Sequence, residues 1–110
     1  MPVKLASTGE VTTAYLSGEL DHHSAAQIRQ AIDEEVTLRG TRLLVLDFGA
    51  LEFMDSSGIG LVMGRYQLMK SLGGEVQVAS LPAYLAKVMK LAGLEQIVKI
   101  EGGNSHEGDQ

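Results

Sequence analysis

The sequence predicts an α/β fold: one domain with a mixed, mostly parallel β-sheet flanked by helices, in the order β-β-α-β-α-β-α-β. Three observations carry this. After an initial hairpin, strand-like runs alternate with runs of helical spacing, and β-α-β crossovers make parallel neighbours. Leu43-Leu44-Val45-Leu46 is an unbroken apolar run, as in a strand buried on both faces of a parallel sheet. Each helical run has a polar or proline entrance and ends at a glycine.

Residues 3–7 and 11–17 read as two strands joined by a turn at Thr8-Gly9-Glu10, the second ending at Gly18. Asp21 to Ser24 is a polar helix entrance. Ala25, Ala26, Ile28, Ile32 and Val36 then recur at helical spacing as far as Gly40. Residues 41–48 hold the apolar strand, with Asp47 placed at its carboxyl end. Asp55-Ser56-Ser57 caps a second helix whose core-facing positions are Ile59, Val62, Met63, Tyr66 and Met69, closed by Gly73-Gly74. Residues 75–80 alternate as a strand. Pro82 suits the first turn of a third helix, which carries Leu85, Val88, Met89 and Leu91 and stops at Gly93. Residues 97–100 form a last strand. The domain spans residues 1–101, and 102–110 read as a flexible tail with almost nothing to bury.

The chain has 110 residues, 45% of them hydrophobic, enough for one core. Its net charge of −5 speaks against nucleic acid and against an anionic membrane surface. With no cysteine, disulfides, zinc–thiolate sites and thiol catalysis are excluded. No apolar run reaches the length of a signal peptide or a membrane span, so a cytoplasmic protein is expected.

In open α/β sheets functional groups gather beyond the carboxyl ends of the strands. Two turns qualify, residues 18–24 and 47–60. Gly58-x-Gly60 with Gly64 imitates a dinucleotide fingerprint, but the third glycine is one residue late and the strand ends too early. There is no Walker A lysine, and the serines do not sit in a G-x-S-x-G elbow. A Ser-His-Asp triad would have to recruit His22 or His23 from the other turn. Asp21-His22-His23 as a metal cluster lacks a third ligand, because adjacent residues at a helix start point apart. A helix cap made by Asp21 or Ser24 accounts for it. Met63, Met69 and Met89 read as core fillers. Neither a cofactor, a metal nor a catalytic residue is expected.

On a helical wheel Ser56 leans toward the buried stripe, whereas Ser57 heads a second stripe of small and apolar residues, Gly60, Leu61, Gly64 and Leu68. Each glycine inside a helix costs roughly 1 kcal/mol relative to alanine, so two need a reason. One is close packing of helix on sheet. The other is a flat face for a partner, with Ser57 at its top. A phosphate on Ser57 would meet the free N–H groups and dipole of a helix N-terminus, so the fold would survive. It would add about two negative charges near Asp55, with Asp21 and Asp47 as further neighbours, and so repel a fitted partner.

The segment Phe53-Met54-Asp55-Ser56-Ser57-Gly58-Ile59-Gly60, continuing through Leu61-Val62-Met63-Gly64-Arg65-Tyr66, resembles the bacterial anti-sigma factor antagonists of the STAS fold. Residues 17–25, with Asp21-His22-His23, are similar to the sporulation type, which antagonises the anti-sigma F factor. Ile59 stands where leucine is common in the family. The resemblance implies a protein that, unphosphorylated, binds an anti-sigma factor serine kinase and so frees the sporulation sigma factor F. It implies phosphorylation by that kinase on Ser57, release of the phosphorylated form, and resetting by a PP2C-type phosphatase. It also implies a switch surface around Ser57 comprising Asp21, Asp55, Ser56, Gly58, Gly60, Leu61 and Gly64. The chain would be a substrate and not an enzyme. The alternatives are a general-stress-type antagonist of the same fold or a small nucleotide-binding protein.

Overall fold

The computed structural model describes residues 2–102; residues 103–110, most of the expected tail, lie outside the described residues. The elements are β1 (Val3–Thr8), β2 (Val11–Leu20), α1 (His22–Arg39), β3 (Leu43–Met54), α2 (Ser56–Ser71), β4 (Glu75–Leu81), α3 (Ala83–Leu91), a short 3₁₀ turn (Leu94–Gln96) and β5 (Lys99–Gly102). The expected order holds. The five strands lie in sequence order across one sheet, with β1 antiparallel to β2 and every later pair parallel. Each crossover steps one strand in the same direction, so right-handed connections set the helices on one face.

Burial agrees with a sheet covered on that face. Ala14, Leu16, Leu44, Leu46, Phe48, Val76 and Val78 are buried under Ile28, Ile32 and Val36 of α1 and Val62 and Met69 of α2, within one core. The alternate positions, Thr13, Val45 and Gln77, align across the other face and are half-buried. The run at 43–46 is therefore buried on one face and not on both. Its Leu43 and Val45 are shielded mainly by their cross-strand neighbours.

The two central strands run longer than expected. β2 passes through Gly18, which takes a left-handed φ of 74° at an irregularity in the ladder, and continues to Leu20. β3 continues to Met54, so Asp47 lies in its middle and not at its carboxyl end. There Asp47 accepts the Gly49 N–H at 2.8 Å and the Ser80 hydroxyl at 3.0 Å. It is a brace between β3 and β4, remote from Ser57. At the other end of the domain Ser7, Thr12 and Thr41 form a hydroxyl chain, closed by Ser7 donating to Glu35 of α1 at 2.7 Å. This satisfies the two fully buried threonines.

Smaller departures have local causes. Pro82 is the residue before α3, where its fixed φ of −60° suits the cap. The short α3 buries only Leu85 and Met89, so Val88 and Leu91 fall on its exposed flank. Met63 is exposed at 41%, because α2 turns Val62 and Arg65 inward instead. The 3₁₀ turn consumes Leu94–Gln96 and delays the last strand to Lys99, two residues later than expected and one residue into the expected tail.

Candidate functional site

β2 and β3 are adjacent and parallel, and their ladder ends with Leu20 opposite Met54. The next residues, Asp21 and Asp55, both stand in extended conformation and cap a helix. The Asp55 N–H donates to the Leu20 carbonyl at 3.1 Å, holding the two caps side by side. Helices α1 and α2 therefore start together and run in the same direction.

The α1 cap is closed on itself. Asp21 accepts the Ser24 N–H at 2.9 Å, and the Asp21 N–H donates to the Ser24 hydroxyl at 3.0 Å. Ser24 also donates to the Glu19 carbonyl at 2.8 Å. The Ser24 N–H bond is the chief cause that holds the Asp21 carboxyl below its usual value. At α2 the Asp55 carboxylate accepts the Ser57 N–H at 2.7 Å and the Asp55 carbonyl accepts the Gly58 N–H at 3.0 Å. Among the described residues the Ser57 hydroxyl makes no hydrogen bond.

Between the helices runs an open groove of about 370 Å³. Its α2 wall is Ser57, Gly60, Leu61, Gly64 and Arg65, and its α1 wall is His22, Ala25, Ala26 and Arg29. The spacings match, at three, four and seven residues beyond Ser57 and beyond His22, as two parallel helix faces require. Ser57 is half-buried at the mouth end, and Ser56 is exposed rather than turned toward the core.

The glycines divide into two kinds. A methyl group on Gly58 would overlap the side chain of Met54 and approach Leu20 Cδ2 to 3.2 Å, so this glycine serves packing. Among the described residues the same group on Gly60 or Gly64 would meet nothing within 4 Å. Close packing thus accounts for Gly58 and leaves Gly60 and Gly64 as an open floor. Nor does this turn provide a free phosphate cradle of the dinucleotide kind: Gly58 is packed inside and the Asp55 carboxylate already holds the Ser57 N–H.

At the inner end Arg65 is only 7% exposed, with its Nε 2.8 Å from Asp33 Oδ1 of α1. The N–H does not point along that line, so the contact is ionic and not a well-formed hydrogen bond. Burial outweighs pairing for both groups. It raises the Asp33 carboxyl and lowers the Arg65 guanidinium.

Of the residues expected at the switch surface, Ser57, Gly60, Leu61 and Gly64 line one groove, Asp21 and Asp55 are the adjacent caps, and Gly58 is internal. The sequence reading missed Ala25, Ala26, Arg29 and Arg65. Their signal was present: residues 22, 25, 26 and 29 repeat the spacing of 57, 60, 61 and 64. His22 and His23 are exposed, and only His22 reaches the groove. Among the described residues no three His, Cys, Asp or Glu side chains converge as a metal would require, and no helix is long and apolar enough to cross a membrane.

The fold and the paired helix caps define a class, the single STAS domain, whose family pattern matches residues 3–105. Among known proteins, the chain is 40% identical over 85 residues to the anti-sigma F factor antagonist of Paenibacillus polymyxa, covering 77% of this chain and 73% of the relative. It superposes on the anti-sigma factor antagonist SpoIIAA in its unphosphorylated form with a TM-score of 0.78 at 32% identity, covering 89% of this chain and 86% of the other. The phosphorylated form of the Bacillus cell fate determinant SpoIIAA superposes with a TM-score of 0.73 at 30% identity, covering 97% and 96%. The chain belongs to the STAS family and, within it, to the anti-sigma factor antagonists.

Proposed function

We propose that this antagonist, in its unphosphorylated form, docks an anti-sigma factor serine kinase on the α1–α2 face and thereby frees the sporulation sigma factor F. The kinase uses ATP to phosphorylate Ser57, the modified protein dissociates, and a PP2C-type phosphatase resets it. The chain is a substrate in this cycle, not an enzyme, and works in the cytoplasm.

The observation that supports this best is the pairing of an unengaged hydroxyl with an open glycine floor. Among the described residues the Ser57 hydroxyl makes no hydrogen bond, and Gly60 and Gly64 beneath it fill no packing need. Both cost helix stability, which a docking face explains. Asp55 and Asp21 flank the serine, and Ser56 stays exposed beside it. Relatives described in unphosphorylated and phosphorylated forms fit the same cycle.

The test is incubation with the cognate anti-sigma kinase and ATP, followed by mass spectrometry of the Ser56–Ser57 peptide. One phosphate per chain on Ser57 is expected. Ser57→Ala should keep kinase binding and take up no phosphate, and Ser57→Asp should bind at least tenfold more weakly, about 1.4 kcal/mol. Stoichiometric phosphorylation of Ser57→Ala would overturn the assignment. Which anti-sigma kinase binds tightly separates the sporulation reading from a general-stress role.

A further inference from the structure

We infer that the α1–α2 groove is the seat of the phosphate once Ser57 carries it, with Arg29 and His22 of α1 as its counter-charges; this rests on the proposed modification of Ser57.

The usual place for an anion at a helix start is already taken. The Asp55 carboxylate holds the Ser57 N–H at 2.7 Å, so a phosphate turned toward the helix axis would lie against a like charge. On the groove side nothing obstructs it. Ala25, Gly60 and Gly64 leave the floor low, and Gly60 and Gly64 have no heavy atom within reach of an added methyl. The groove also carries positive charge in a protein of net charge −5. Apart from Ser57 itself, its polar lining is His22, Arg29 and Arg65, and among the described residues no carboxylate lines it.

Two of the cations stand differently. Arg65 is buried and committed to Asp33 at 2.8 Å, although its N–H is poorly aimed there. Arg29 is exposed in the groove and, among the described residues, makes no salt bridge, although Asp33 one turn further along α1 feels its charge. Helical side chains lean toward the helix N-terminus, so Arg29 leans toward the end where Ser57 and His22 meet. A guanidinium grips a phosphate bidentately, and a protonated imidazole adds a second donor. The charged groups around this position are thus His22, Arg29 and Arg65 in favour, Asp55 and Asp21 at the two caps against, and Asp33 at the inner end, which feels the charges of both Arg29 and Arg65. On this account phosphorylation silences the face by filling the groove with its own anion, and the domain need not move.

Phosphoserine placed at position 57 during translation tests this without any kinase. Phosphorus NMR across pH should give the phosphate a second pKa lower than in a free peptide spanning residues 53–61, by about half a unit or more. Arg29→Gln should return most of that shift and His22→Gln part of it, with thermal melts showing each variant folded. Histidine ring signals should move at His22, and not at His23, when the phosphate is present. A phosphate that titrates like the peptide overturns the inference. So does a lowered pKa that neither variant moves, because the helix terminus then holds the anion. Failure of the kinase to modify Ser57 would sink the proposed function and leave this measurement intact.

Discussion

Ser24 and Ser57 sit in the first turns of neighbouring parallel helices, each just after a capping aspartate, and their hydroxyls have opposite fates. Ser24 accepts from the Asp21 N–H and donates to the Glu19 carbonyl. Ser57 contributes only its N–H to the cap and leaves its hydroxyl to the groove. One helix start spends its serine on closing the turn. The other is capped from the aspartate alone, and its serine lines the groove. The same division runs through the glycines of α2, where Gly58 is needed for packing and Gly60 and Gly64 are not. Position in a motif therefore does not set a residue's role; the atoms it touches do.

The glycines offer the largest contrast. Gly58→Ala should destabilise the domain by about 2 kcal/mol, because Met54 and Leu20 must move to admit the methyl. Gly60→Ala and Gly64→Ala should leave stability unchanged or raise it by up to about 1 kcal/mol each, through helix propensity alone. Urea unfolding gives both values. A kinase-binding assay completes the comparison, since the two stable variants should be the ones that bind poorly. If Gly60→Ala or Gly64→Ala bound normally, the open floor would have no part in docking.

Serine deletions are expected to differ less. Ser24→Ala removes the bonds of its hydroxyl to the Asp21 N–H and the Glu19 carbonyl, with a longer one to the Asp21 carbonyl, and should cost about 1 kcal/mol. Ser57→Ala removes none and should stay within about 0.5 kcal/mol of the parent. Equal losses in thermal melts would mean that the Ser57 hydroxyl has a structural duty.

How far these roles could be read beforehand follows from the same atoms. The helix starts and the parallel order are local properties, written in Asp-x-x patterns and in stripes of three and four residues. The length of β3 was hidden, because its apolar run stops at Asp47. In the fold the Asp47 carboxylate instead braces Gly49 and Ser80 across the ladder. The α1 wall of the groove was hidden for another reason. Ala25, Ala26 and Arg29 are ordinary helix residues until β2 and β3 pair and bring the two helices side by side. Arg65 carries no sign of its role in the local pattern, because only the packing of α1 buries it against Asp33. What depends on which elements become neighbours is not carried by any one segment.

The smallest expected effect is in acid, where the α1 cap and the inner end of the groove act with opposite signs. The Asp21 carboxyl is lowered by its cap, so its contribution to stability is present above the unfolded value of about 3.9 and is lost as pH falls through the folded one. The Asp33 carboxyl is raised by burial despite Arg65 beside it. Its contribution is therefore present below about 3.9 and is lost as pH rises through its folded value. In the parent protein the two partly cancel, and the acid limb of a stability–pH curve should be shallow. Asp21→Asn removes the first contribution and should flatten that limb further or reverse it. Asp33→Asn removes the second and should steepen it. Urea midpoints between pH 3 and pH 7 for the three proteins decide the matter. Parallel curves would mean that neither carboxyl is coupled to folding, and the ionic contact at the inner end of the groove would then hold nothing in place.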